Sequence, residues 1–109
     1  RLGRNAEAIE SLKEAVRIRP DYDKAQSNLG VAYSKTGRLS EAIEAYKRAV
    51  KIKPDYIEAH LNLGVTYIEA GETALALEEY KIIKRLDAKK AEILFTLIHK
   101  GRQKPVPGS

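Results

Sequence analysis

Apolar residues recur three and four positions apart along most of the chain, and charged residues fill the positions between them. This spacing places one apolar stripe along each of several amphipathic helices, and no segment shows the strict alternation of a strand. The pattern therefore predicts an all-α protein. The clearest runs are Ala25, Leu29, Ala32 and Tyr33; Ala42, Ile43, Tyr46, Ala49 and Val50; Ala59, Leu63 and Tyr67; and Leu75, Ala76, Tyr80 and Ile83.

Glycine and proline separate these runs into helix pairs. Gly37 and Gly71 each follow the first run of a pair, where a glycine in the left-handed conformation commonly ends a helix. Pro54 follows a second run and helps to stop it. Three polar residues suit a cap or a first helical turn, namely Ser40, Thr73 and Asp55.

The same pattern returns at a fixed interval. Pro20 and Pro54 are 34 positions apart, and the same interval separates Gly30 from Gly64. A period in this range indicates an array of repeats, each a helix–turn–helix unit. We expect the chain to begin inside a repeat and to be part of a longer protein. The predicted units are the second helix of a truncated repeat over 1–20, full repeats over 21–54 and 55–88, the first helix of a next repeat or a capping helix over 89–101, and a disordered tail or cloning remnant over 102–109.

The repeated small residues have a packing role. Gly30 and Gly64 lie where a larger side chain would hold two helices apart, and tyrosines at helical spacing fill the gaps between pairs. This sequence resembles the tetratricopeptide repeat (TPR). The resemblance is carried by Leu29-Gly30, Tyr33, Ala42, Tyr46, Ala49 and Pro54, and again by Leu63-Gly64, Tyr67, Ala76 and Tyr80. The sequence departs from the family pattern at Ile83, Ala88, Gln26 and His60.

The resemblance implies tandem repeats that form a right-handed superhelical solenoid. In such proteins the first helix of each pair lines a concave groove, where peptides or helices of partner proteins lie. The groove residues expected here are Lys24, Ser27, Asn28, Val31 and Lys35 from one repeat and Glu58, Leu61, Asn62, Val65 and Glu69 from the next.

Asn28 and Asn62 are the sharpest candidates for peptide binding. An amide side chain both donates and accepts, so it can pair with the N–H and C=O of one peptide unit. The repetition resembles the asparagine ladder in the TPR region of O-GlcNAc transferases. The alternative is that each amide bonds within its own array.

Another TPR class clamps the terminal carboxylate of chaperones with Lys, Asn and Arg on successive first helices. Asn62 could supply the middle Asn. However, Ser27 and Val31 stand at the preceding positions, and Glu92 and Thr96 at the following ones, so this clamp is incomplete. The mixed charges and apolar residues of the groove favour a partner segment with an apolar anchor.

Two alternatives remain open. The last helix is apolar on more than one face, which favours self-association through Ile93, Leu94, Leu97 and Ile98. Nucleic-acid binding is the third hypothesis, and it is the weakest because we expect no aromatic residues for base stacking beside the basic cluster. That cluster consists of Lys47, Arg48, Lys51 and Lys53 in one repeat and Lys81, Lys84 and Arg85 in the next.

Composition narrows the remaining classes. The 109 residues carry a net charge of +5, and 32% of them are charged, with Lys and Arg interleaved with Glu as on a solvated helix face. No apolar run reaches the roughly 20 residues of a membrane span. The chain has no cysteine and two histidines, and no sequence pattern of a nucleophile, a phosphate-binding loop or a metal site accompanies the histidines. We therefore expect no enzyme activity, cofactor or metal, and the lack of a secretory leader favours the cytoplasm.

Overall fold

The computed structural model describes residues 2–102, with side chains described from Asn5 to Lys100. This part of the chain is all-α, which confirms the predicted fold class. The helices are α1 (Leu2–Ile18), α2 (Asp23–Lys35), α3 (Leu39–Ile52), α4 (Ile57–Glu69), α5 (Thr73–Leu86) and α6 (Ala88–Arg102). The predicted tail beyond position 102 lies outside the described residues.

The helices stack as successive antiparallel pairs. α2 packs against α3 and α4 against α5, and α4 also contacts α2 on one side and α6 on the other. Among the described helices, α1, α3 and α5 contact the first-helix layer and not one another. Since α2, α4 and α6 approach more closely than the other three, their layer forms the inner, concave side of the array.

Small residues allow this close stacking. Ala42, Ala45 and Ala49 of α3 are fully buried. A Cβ placed on Gly30 would lie 2.6 Å from Cε1 of Tyr46, so the tyrosine ring rests directly on the α2 backbone. Because Gly30 has no Cβ, the large ring of Tyr46 can fill the space between α2 and α3.

The turns follow the predicted chemistry only in part. Gly37 and Gly71 have φ of 77° and 80°, as expected for residues that end α2 and α4. Tyr56 precedes α4 without a side-chain capping bond, so the assignment of Asp55 as a cap is wrong. The aspartate that does cap a helix is Asp87, whose Oδ1 accepts hydrogen bonds from the backbone N–H groups of Lys89 and Lys90, at 3.1 and 3.2 Å.

The last described helix departs from the repeat. α6 packs against both α5 and α4. A Cβ on Gly64 would lie 2.5 Å from Cδ2 of Leu94, so α6 supplies the contact that a tyrosine supplies at Gly30. Leu94 and Ile98 are 0% and 1% exposed. Their assignment to a self-association surface is therefore wrong, because they already complete the chain's own core.

Candidate functional site

The groove face consists of the solvent-facing residues of α2, α4 and α6. Nine of the ten predicted groove residues reach solvent. Ser27 does not, since it is 3% exposed, and its assignment to the binding surface is wrong. Its short side chain stays below the surface, whereas Leu61 at the same place in the next repeat is half-buried. The exposed members are Lys24, Asn28, Lys35, Glu58 and Glu69, and the half-buried members are Val31, Leu61, Asn62 and Val65.

The two asparagines keep their amides available. Asn28 is exposed and Asn62 is half-buried. Among the side-chain hydrogen bonds of residues 5–100, none uses either amide; only the backbone carbonyl of Asn62 is engaged, accepting from Oγ1 of Thr66 at 2.8 Å. Both amides therefore have donor and acceptor capacity that a ligand backbone can use.

A pocket opens between α4 and α6. Its volume is about 410 Å³. Three aliphatic side chains form its walls, and an acidic and a basic residue complete them. The lining residues are Ile57, Glu58, Leu61, Lys90 and Ile93.

Two acidic residues of α4, Glu58 and Glu69, are exposed on the groove face. Burial raises the pKa of Tyr46 to about 12, and the carboxylates of Glu69 and Glu58 add to that rise. An acidic ligand segment would meet repulsion along α4.

Sequence reasoning missed a buried polar bridge behind the groove. His60 and Glu79 are 4% and 9% exposed. The His60 Nδ1 lies 2.7 Å from Oε1 of Glu79, and its Nε2 lies 2.7 Å from the Pro54 carbonyl oxygen. The sequence held one indication of this bridge, because another polar residue, Gln26, occupies the position of His60 one repeat earlier. In the structure, Nε2 of Gln26 donates to the Pro20 carbonyl oxygen at 3.1 Å.

The outer helices repeat a charge pair that reduces their basic character. Nζ of Lys47 lies 3.8 Å from Glu44, and Nζ of Lys81 lies 3.4 Å from Glu78. An equivalent pair joins Lys13 to Glu10 at 3.7 Å. The outer surface thus alternates in sign along its helices, as a solvated face does.

Residues 2–102 bring no group of three His, Cys, Asp or Glu side chains together as a metal would need. No helix among them is long and apolar enough to cross a membrane.

Comparison with known proteins decides the family. A family model described as "TPR repeat" matches residues 1–37 and 33–71, which together cover more than half of the chain. The chain belongs to the TPR family. No curated protein matches the sequence.

Solved TPR structures share the whole architecture. The TPR2B domain of yeast Sti1, solved as a complex with pHsp70, has a TM-score of 0.83 at 23% identity, over 94% of this chain and 86% of that one. The first TPR of Spaghetti (RPAP3), bound to the HSP90 peptide SRMEEVD, has a TM-score of 0.83 at 18% identity, over 93% and 82%. MamA is more similar in sequence, at 31% identity with a TM-score of 0.75 over 84% of this chain, but this chain spans only 53% of MamA.

Proposed function

We propose that this TPR array is a protein-interaction scaffold that holds a peptide or helical segment of a partner in its concave groove. The observation that carries the proposal is the pair of asparagines. Asn28 and Asn62 occupy the same position on neighbouring first helices, outside the core, with amides that no described side chain engages. The Sti1 and Spaghetti domains, whose structures contain chaperone peptides, support a ligand in this groove by analogy of fold.

Each asparagine would hold one peptide unit of the ligand. The amide NH₂ donates to the ligand carbonyl and the amide oxygen accepts from its N–H. Contacts of this kind recognise backbone and tolerate varied side chains. The pocket between α4 and α6 then selects one apolar side chain and fixes the position of the segment along the groove.

The ligand differs from an acidic chaperone tail. Val31 and the buried Ser27 give the preceding helix no basic group at the clamp positions, and Glu92 and Thr96 give none on α6. Glu58 and Glu69 would repel an acidic segment. The groove chemistry therefore favours a ligand that combines an apolar residue with at least one basic residue.

The proposal is tested by removing the amides. A capped peptide library of random 12-residue sequences supplies binders, and fluorescence anisotropy measures each Kd. We expect Asn28→Ala with Asn62→Ala to weaken the selected binders about tenfold, because each lost hydrogen bond contributes roughly 0.5–1.5 kcal/mol.

The matched control is Ser11→Ala with Ser40→Ala, which removes two exposed polar groups from α1 and α3 outside the groove. Circular dichroism verifies that both double variants stay helical. Binders whose Kd is the same for both double variants would refute the groove as their site.

Self-association through α6 has less support. Of the four residues expected at that surface, Leu94 and Ile98 are buried, Ile93 is exposed but lines the pocket, and Leu97 is half-buried. Light scattering over a concentration series tests self-association, and a mass that rises with concentration would support it.

A further inference from the structure

The pocket between α4 and α6 has an unusual charge arrangement. Its walls are aliphatic, but one side carries Glu58 on α4 and the other carries Lys90 on α6. Both side chains are exposed, and no ion pair within residues 5–100 joins them to each other or to a third residue. Opposite charges thus stand on two separate helices with an apolar space between them.

The size of the pocket fits one large side chain with adjoining backbone. A volume of about 410 Å³ falls within the roughly 300–1,000 Å³ typical of ligand pockets. An aliphatic side chain that enters it would contact Ile57, Leu61 and Ile93. The residues on either side of this anchor would then lie next to the two charged walls.

The aliphatic lining of this pocket has no counterpart one repeat earlier. One repeat earlier, the positions of Ile57, Leu61 and Ile93 are occupied by Asp23, Ser27 and Ala59. Ser27 and Ala59 are buried, so the space between α2 and α4 lacks the aliphatic walls. Lys90 likewise has no basic counterpart in the preceding repeat, where Tyr56 occupies the equivalent position.

We propose that this pocket selects a bipolar partner segment, in which an aliphatic anchor is flanked by a basic residue facing Glu58 and an acidic residue facing Lys90. The inference rests on the proposed function and names the class of peptide. The flanking charges supply specificity, because a segment with the wrong sign at either wall meets repulsion.

Four capped peptides test the charge preference. Each has a central leucine between two glycines, flanked by Lys and Glu, Glu and Lys, two Lys, or two Glu. NMR titration of the ¹⁵N-labelled chain follows the backbone amides of Leu61 and Ile93 and gives each Kd. We expect the better of the two mixed peptides to bind roughly threefold to tenfold more tightly than either single-sign peptide, as two exposed ion pairs allow.

Charge variants of the chain should move this preference predictably. Glu58→Lys makes both walls basic and should favour the peptide with two Glu residues. Lys90→Glu makes both walls acidic and should favour the peptide with two Lys residues. The double variant should exchange the ranking of the two mixed peptides. Lys51→Glu, an equal charge change on the outer face of α3, should leave all four rankings unchanged.

The outcomes separate this inference from the proposed function. If all four leucine peptides shift the amides of α4 and α6 with equal Kd, the charge selection is refuted and groove binding stands. Rankings that respond to Lys51→Glu as strongly as to Lys90→Glu would also refute it, because net charge would then explain the effect. If no peptide perturbs α4 or α6, the pocket is not a peptide site and both proposals fail there.

Discussion

The buried bridge at His60 makes the stability of the array depend on pH in a definite direction. His60 lies between the Glu79 carboxylate and the Pro54 carbonyl, each 2.7 Å from one ring nitrogen. When Glu79 is ionised, both partners are acceptors, so the bridge is complete only when the imidazole is charged and both ring nitrogens carry hydrogen. Deprotonation would leave one acceptor without a donor and the carboxylate without its counter-charge.

The pKa of His60 results from opposing effects. Burial lowers it, but the hydrogen bond to Glu79, the hydrogen bond to the Pro54 carbonyl and the charge of Glu79 together outweigh burial. The pKa in the folded chain is therefore raised above the ordinary 6.5. The contribution of His60 to stability is thus fully present below pH 6.5 and is lost as the pH rises through the raised folded-state value.

The size of the effect follows from what is left behind when the pair is broken. The side chains of His60 and Glu79 are only 6% and 12% exposed. Removing one partner of a buried ion pair costs about 3–5 kcal/mol, because the remaining charge is buried and uncompensated. A domain of this size is stabilised by roughly 5–15 kcal/mol, so His60→Ala should lower the denaturation midpoint severely.

Urea denaturation followed by circular dichroism, repeated from pH 5 to pH 9, measures this contribution. The reference is the double variant His60→Gln with Glu79→Gln, which replaces the ionisable pair with amides like that of Gln26. The free energy of unfolding of the original chain minus that of the double variant should fall as the pH rises above 6.5. A difference that stays flat, or that increases with pH, would refute the assignment of a charged bridge.

Three further predictions concern packing and use the same denaturation assay. Leu94→Ala should cost about 2–5 kcal/mol, since the side chain is 0% exposed, whereas Ile93→Ala, at a side chain 51% exposed, should cost less than about 1 kcal/mol; equal losses would contradict the orientation of α6. In Gly30→Ala, the steric clash with the Tyr46 ring should cost about 1–3 kcal/mol, and the gain in helix propensity should offset roughly 1 kcal/mol of that cost. Tyr46→Leu removes the ring and should therefore reduce the steric cost of Gly30→Ala. Gly37→Ala should cost about 1–2 kcal/mol because φ is 77°, although nothing lies near its added Cβ; a neutral result would show that the turn can relax.

The repeat itself was predictable because local chemistry and periodic spacing agree. The 34-residue interval between Gly37 and Gly71 places a left-handed residue at the end of each first helix, and both have the positive φ that this role requires. Apolar spacing located the helices for the same reason, since a stripe at helical period must be buried. These features depend on residues a few positions apart, which a sequence displays directly.

The candidate site was less predictable because it depends on contacts between distant residues. His60 and Glu79 are 19 positions apart. The position one repeat before Glu79 holds Ala45, so no repeated pairing pointed to the bridge. Ser27 was assigned to the groove by its position on the helix, but its short side chain leaves it buried. Position on a helix therefore predicts direction, whereas depth depends on side-chain size and neighbours.

The last helix shows how one packing choice determines two properties. Consecutive residues of an α-helix point about 100° apart, so Leu94 and its neighbour Ile93 meet different parts of α4. Once Leu94 packs on Gly64, Ile93 and Lys90, which lie three positions apart on one face, turn toward α4 and line the pocket with Leu61. The contact that completes the core therefore also builds the pocket. A variant that loosens α6 should weaken stability and ligand binding together, whereas Glu58→Lys should change ligand preference alone.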